Sequence, residues 1–275
     1  PTPPDVLHAF IVHLLHHRYS AASIRSHIHA ILHRHRVHRI PISLSPTELR
    51  FAHRATSRHA PQPRATIRPF PRDLLVATLT LDRSEPLTLR DTTIVVLTTL
   101  LASRGTTTMA LRICDLRQGF DADQPLGIAV RVRTEKQDQT GRGRHPRIAP
   151  GSRAALCPLH LLSQYTRRFH ITTHRHCTRD STCSVCTFLF PPPSGSHPLS
   201  AAAVTAALHR TLDLLHHPKN GFSSRSLRKG GLSIALNAGL PEDVRTLQSG
   251  HQSHANRLYE HDASQAYRFT QAFRL

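Results

Sequence analysis

Phe222-Ser223-Ser224-Arg225-Ser226-Leu227-Arg228-Lys229-Gly230-Gly231 runs through Leu232 to Ala238 into Gly239-Leu240-Pro241-Glu242-Asp243. This stretch decides how the rest of the chain is read. Ser223 or Ser224 suits a helix cap, accepting a hydrogen bond from an orphan backbone N–H. Gly239 suits the left-handed residue that ends a helix, and Pro241 with two acids behind it suits the first turn of the next. The expected form is a tight helical corner with Arg225, Arg228 and Lys229 at the start of its first helix. Phosphate is the anion that such a cationic helix start binds best.

Outward from the corner come Gly250-His251-Gln252-Ser253 and then Tyr259. Together these residues resemble the C-terminal half of the tyrosine recombinase (phage-integrase-like) catalytic domain. The likeness is to its eukaryotic mobile-element branch, retroelement or crypton-like, with a Ser-Leu/Phe-Arg-Lys/Arg-Gly-Gly run. The family's first motif there is usually His-x-x-Arg; in this chain Arg225 stands at the His position and Arg228 at the Arg. His251 falls where the family has His or Trp, and Tyr259 falls on the nucleophile.

A second block, Leu101-Ala102-Ser103-Arg104-Gly105-Thr106-Thr107-Thr108-Met109-Ala110-Leu111-Arg112-Ile113-Cys114-Asp115-Leu116, resembles the family's Gly-Leu-Arg-x-x-Glu-x-x-x-Leu-x-x-x-Asp-Ile box. The match puts the first catalytic arginine at Arg104, with Thr107 where an acid is common. A third, Thr134-Glu135-Lys136-Gln137-Asp138-Gln139-Thr140-Gly141, looks like the β-hairpin that carries the family's lysine, here Lys136. The blocks occur in the family's order, and their joint match is more specific than any one of them.

Composition agrees with this reading without dictating it. The formal charge of +19 and the pI of about 11.4 call for a polyanionic partner or impose strong self-repulsion. Much of the content of 23 histidines fits a base-composition bias, since they are strewn through the first 60 residues without spacing. No apolar run approaches the ~20 residues of a membrane span. The start Pro1-Thr2-Pro3-Pro4 has neither an initiating Met nor a signal-peptide pattern. This suggests a piece of something longer, such as the C-terminal module of a retroelement polyprotein. Five scattered cysteines argue for a reducing compartment, and the nucleus is the expected location, not secretion.

The expected fold is mainly α, in two domains. Residues 1–60 read as a small helical domain: Asp5 caps a helix through Val6, Phe10, Ile11, Leu14 and Leu15, and a second runs through Ile24, Ile28, Ile31 and Leu32. Ser45-Pro46-Thr47-Glu48 is a capping box for a third. Residues 61–72 read as a Pro-rich basic linker, and 73–275 as a mostly helical domain with a small antiparallel sheet. Within it, 88–101 reads as a buried helix and 126–133 as a strand returning through Pro146-Arg147-Ile148-Ala149. Cys157-Pro158 opens a helix through Leu161, Leu162 and Tyr165, resembling the family's Cys-Pro-Val helix. Phe188-Leu189-Phe190-Pro191 resembles its Leu-Phe-Pro strand, and 201–215 reads as a core helix. The resemblance implies that 1–60 is a core-binding domain clamping DNA, and that 73–275 is the catalytic domain; a helical cap without DNA contact is the alternative for 1–60.

Cys183-Ser184-Val185-Cys186 has the spacing of half a zinc site, which His174, His176 or Cys177 completes; a flexible insertion over 157–186 is the competing reading. Arg112 and Arg117 read as solvated. Tyr267 is a rival hydroxyl read as packing for a terminal helix with Phe269, Phe273 and Leu275. In the family such helices often dock on a neighbouring subunit.

The resemblance implies phosphoryl transfer on double-stranded DNA without metal, ATP or other cofactor. Tyr259 attacks a phosphate, Arg104 and Arg228 hold its oxygens, His251 hydrogen-bonds it, Lys136 protonates the leaving 5′-oxygen, and Arg225 adds a phosphate contact. A dimer to tetramer on DNA is expected. Two alternatives stay open: a degenerate relic that binds DNA without cleaving, favoured by Arg225 and Thr107, and a zinc-stabilised nucleic-acid-binding module using Cys177, Cys183, Cys186 and His174.

Overall fold

The computed structural model describes residues 4–40, 45–59, 67–119, 127–133, 143–172, 186–192 and 197–250, with 271 and 273. Its contacts divide the chain into two compact units, Pro1–Ala65 and Thr66–Leu275. The first contains α1 (Pro4–His16), α2 (Ala21–Val37) and α3 (Pro46–His59). Leu7, Ile11, Leu14, Ile24, Ile28 and Ala52 form its core, a helical i, i+3/i+4 spacing on α1 and α2. Two details differ from expectation. α1 begins at Pro4, so Asp5 sits inside the first turn, and Val6 is 54% exposed because Leu7, Ile11 and Leu14 define the buried stripe. Ser20 caps α2, its side chain accepting from Ser23 N. The capping box of α3 is reciprocal: Glu48 N donates to Ser45 Oγ at 3.2 Å and Ser45 N to Glu48 Oε2 at 2.7 Å. That backbone bond, with the Ser45 hydroxyl, holds the Glu48 carboxyl below its ordinary pKa.

The second unit is mainly helical, with one three-stranded antiparallel sheet. Its helices are α4 (Arg72–Leu79), α5 (Pro86–Leu100), α6 (Gly105–Met109), α7 (Pro158–Arg168), α8 (Ala201–Leu214), α9 (Ser224–Asn237) and α10 (Glu242–Ser249). α5 is the axis. Every residue from Asp91 to Leu100 is buried, and α7, α8 and α9 pack around it. Two of the four buried threonines on this helix bond back into it: Thr93 Oγ1 donates to Leu89 O at 2.7 Å and Thr99 Oγ1 to Val95 O at 2.8 Å, while the hydroxyls of Thr92 and Thr98 are buried without a hydrogen-bond partner among the described residues. Asp91, 3% exposed, is met by the fork of Arg210 on α8 at 2.6 and 2.9 Å. This bond and the Asp91 charge raise the Arg210 pKa.

The strands β1 (Leu116–Gly119), β2 (Gly127–Val130) and β3 (Arg147–Ile148) lie in the order β1-β2-β3. β1 is an addition to the expected hairpin. Val132 and Arg144 form a further bridge toward its tip, while the tip, with Lys136, lies outside the described residues. Phe188 makes a single bridge to Arg112 instead of a strand in the sheet.

Three further expectations are corrected. Residues 67–70 of the expected linker are seated on the second unit: Arg68 N donates to Gly221 O, Phe70 N donates to Ser226 O, and Phe70 is fully buried. Arg112 is not solvated; its guanidinium stacks on Phe188 at 4.3 Å and donates to Cys186 O. Phe273 is buried in this unit's own core, its carbonyl accepting from Arg72 Nε at 2.7 Å. Among the described residues no helix is long and apolar enough to cross a membrane.

The Asp91–Arg210 pair is asymmetric, because Asp91 is buried while the Arg210 side chain is 46% exposed. Arg210→Leu strands a carboxylate in the core and is expected to cost about 3 kcal/mol or more. Asp91→Asn leaves a guanidinium with access to water and is expected to cost less than half of that. Urea midpoints of the two variants check the order.

Candidate nucleic-acid site at the α5–α9–α10 junction

Ser223 is the N-cap of α9, but through its backbone instead of the expected side-chain acceptor: its N–H donates to Ser226 Oγ at 3.0 Å and its carbonyl accepts from Ser226 N at 2.8 Å. Gly239 lies in the left-handed region beyond the helix end (φ 73°). The three cations of this helix start do not gather on one anion. Arg225 is exposed, Lys229 donates to Ile67 O at 3.0 Å, and Arg228 donates through Nη2 to Ser249 O at 3.0 Å. The N–H of Ser224 is also committed, to Thr205 Oγ1 at 3.0 Å.

The face that α9 turns to α5 is set by two glycines. A Cβ on Gly231 would stand 2.2 Å from Thr99 O, and a Cβ on Gly105 would stand 3.2 Å from Ser224 Cβ. Ser224, Arg228 and Gly231 follow one another at i, i+4 and i+7, so they share a stripe. Both ends of that stripe touch the stretch from Thr99 to Gly105, which holds Arg104. Arg104 and Arg228 therefore stand at one helix crossing, both half-buried, each with its Nη1 atom withdrawn from solvent. Thr107 is buried (8% exposed) in α6, just past Arg104.

A third line converges there through Gln248, a fully buried residue that sequence reasoning missed. Its Nε2 donates to Leu100 O at 2.9 Å and to Arg147 O at 3.1 Å, and its Oε1 accepts from Arg147 N at 3.2 Å. One amide thus satisfies the terminal carbonyl of α5 and the edge of β3 together. Arg144 donates to Gln248 O, so Arg144 and Arg228 cap consecutive carbonyls at the end of α10, the negative end of the helix dipole. Gly250, left-handed at φ 66°, then carries the chain onward. His251 and Tyr259 lie outside the described residues, as does Lys136. The described residues on either side of Lys136 are anchored: Arg133 Nε pairs with buried Asp115 at 2.7 Å, and Arg144 reaches α10.

The sheet contributes charge. Arg117 and Arg147 both pair with Ala129, and cross-strand partners share a face. Arg131, two residues beyond Ala129, falls on the same side. The opposite face carries Val130 and Ile148, both fully buried. A small alanine ringed by three arginines makes a basic plate, so Arg117, read as solvated, stands half-buried on the sheet face away from the core, beside two further arginines. His145 stands beside it. Partial withdrawal from water, then the fields of Arg131, Arg117 and Arg147, hold its imidazolium pKa below the usual histidine range.

Of the zinc candidates only Cys186 is described. It is a buried free thiol (1% exposed) whose carbonyl takes the Arg112 guanidinium. Among the described residues no group of three or more His, Cys, Asp or Glu side chains is arranged to hold a metal ion.

No family model matches the chain, and no curated protein matches it. Solved structures do. A lambda integrase dimer bound to a core site matches with a TM-score of 0.53 at 15% identity, covering 91% of this chain and 79% of that one. A lambda integrase tetramer bound to a Holliday junction matches with a TM-score of 0.53 at 14% identity, covering 90% of this chain and 64% of that one. The XerH site-specific recombinase bound to its difH substrate gives 0.46 at 14% identity over 70% of this chain. The chain spans about half the length of the XerH chains it matches (48% and 50%).

Two measurements test the junction. Gln248→Ala leaves Leu100 O and Arg147 without their partner and is expected to cost about 2–3 kcal/mol by urea unfolding. His145 has a lowered pKa, so below its ordinary value of 6.5 the unfolded chain takes up a proton that the folded chain refuses. Its contribution to stability is present above that pH and lost as the pH falls toward the lowered value. Between about pH 7 and 5.5, His145→Gln is expected to lose less stability than the parent chain. The fold that carries this junction is similar to that of lambda integrase.

Proposed function

We propose that the chain is a DNA-binding tyrosine recombinase of a mobile element, cutting and rejoining strands through a 3′-phosphotyrosine. The observation that carries this reading is the junction itself: the Arg104 turn and Arg228 share one helix crossing, and Arg228 caps the helix that leads into His251. The likeness in fold to lambda integrase supports it, and so does the basic plate.

In this reading the phenol of Tyr259 passes its proton to a water as its oxygen attacks the phosphorus of a DNA phosphodiester. A P–O bond to tyrosine forms, the bond to the 5′-oxygen breaks, and Lys136 gives that oxygen its proton. Arg104 and Arg228 stabilise the charge developing on the two non-bridging oxygens, a task suited to guanidinium forks, and His251 donates to the same phosphate. The covalent link conserves the bond, so a 5′-hydroxyl attacking the phosphotyrosine rejoins the strand and returns the proton without ATP. Arg225 cannot serve as the base for Tyr259, since arginine stays protonated; it offers a further phosphate contact. The plate of Arg117, Arg131 and Arg147 meets backbone phosphates next to the cleaved one, giving strongly salt-dependent binding. The helical domain grips the same duplex, and the active form is an oligomer assembled on DNA in the nucleus. A second reading, a relic that binds without cutting, is favoured by Thr107, a buried neutral hydroxyl where an acid is common.

Half-site duplexes with a randomised core, from which the cleaved strand is lost, separate the two readings. The recombinase gives an SDS-stable protein–DNA adduct that is absent in Tyr259→Phe and reduced at least ~100-fold in Arg228→Gln. The relic gives salt-sensitive binding and no adduct.

A further inference from the structure

At the far end of α5 from Arg104 lies a second cationic feature that strand transfer does not use. A recess of about 710 Å³ opens between the turn ahead of α5 and the C-terminal end of α7. Arg83, Arg167, Arg168 and His170 line it, with Asp82 and Ser84. The fifteen residues of α5 put about 22 Å between this recess and the Arg104 turn, so it is not an extension of the junction.

The charges in the recess are unbalanced. Asp82 is the one carboxylate among its lining residues, and it is committed to its own turn, accepting from Ser84 N and Ser84 Oγ, each at 3.0 Å. Arg167 and Arg168 belong to the last turn of α7, where cations ordinarily complement the helix dipole. That explanation does not extend to Arg83, which comes from a different segment. Its Nη1 atom is withdrawn from solvent without a hydrogen-bond partner, and burial lowers the guanidinium pKa. A buried guanidinium nitrogen left unpaired is costly, and an anionic oxygen arriving in the recess recovers that cost. His170, left-handed at φ 50° just past the helix end, lines the same space and adds a donor. The volume exceeds that of one phosphate and falls within the range of small-ligand sites.

The geometry points to an anion-binding site here for a ligand carrying linked phosphates, held by half-buried Arg83 from one side and by Arg167, Arg168 and His170 from the other. Such phosphates come either from a free polyphosphate or nucleotide, or from a nucleic-acid backbone. The site stands independently of Tyr259 chemistry.

Calorimetric titration of the full chain with inorganic pyrophosphate at ~0.3 M salt, where loose surface attraction is screened, tests it. Arg83→Gln and the double variant Arg167→Gln/Arg168→Gln are each expected to weaken binding about tenfold or more. Arg54→Gln/Arg58→Gln, exposed on a helix of the first unit and not among the recess lining residues, is expected to change it less than twofold. Arg167 and Arg168 are exposed, so their variant decides the matter even if Arg83→Gln fails to fold. Equal weakening in all variants, or none in the recess variants, overturns the proposal. Displacement of pyrophosphate by a short DNA duplex assigns the phosphates to a nucleic-acid backbone; retention assigns them to a free polyphosphate.

Discussion

Two absent methyl groups hold the second unit together. A Cβ on Gly230 would stand 2.2 Å from Phe70 O, and a Cβ on Gly231 would stand 2.2 Å from Thr99 O. Any side chain at either position drives backbone against backbone, which a close-packed interior cannot absorb. α9 is therefore clamped between the segment at Phe70 and the end of α5. Everything cationic at the junction follows from that clamp: Arg228, one turn before Gly231, is brought beside the Arg104 turn and onto the last carbonyls of α10. A wider crossing would leave Arg228 short of Ser249 and detach α10 from the core.

The junction manages its charges by sharing backbone. Half-buried guanidinium groups are costly unless hydrogen-bonded, and here helix-terminal carbonyls do part of that work, accepting from Arg144 and Arg228. Gln248 adds a neutral bridge from α5 to β3. The outcome is a frame in which Arg144 and Arg228 are held in place by helix-terminal carbonyls; the proposed strand transfer would use such fixed cations to stabilise the transferring phosphoryl group. The sheet repeats this economy, with an apolar face in the core and arginines around Ala129 on the other. The recess between Arg83 and α7 is a separate concentration of charge at the opposite end of the same axial helix.

Local chemistry made much of this legible. Ser45 and Glu48 cap α3, Ser223 starts α9, Gly239 ends it, and the periodicities of α2 and α7 matched their buried faces. The small antiparallel sheet was legible in the alternation before Arg133, though β1 was not, being four residues long without a pattern of its own. Long-range partners were not readable. Gln248 in a short amphipathic helix looks like surface, and only the fold shows its amide between Leu100 and Arg147. Arg112 looked solvated because Phe188 reaches it across the fold, and Phe273, read as part of a terminal helix, is buried among segments distant in sequence. Of the candidate site, Arg104 and Arg228 were named from motif resemblance, while Lys136, His251 and Tyr259 lie outside the described residues.

The most direct test of the central claim is a crystal structure of the full chain grown with tungstate, a tetrahedral oxyanion located by its anomalous scattering. A single strong peak within hydrogen-bond reach of both Arg104 and Arg228 is the predicted result. Peaks distributed over separate arginines, with none bridging that pair, would contradict the account.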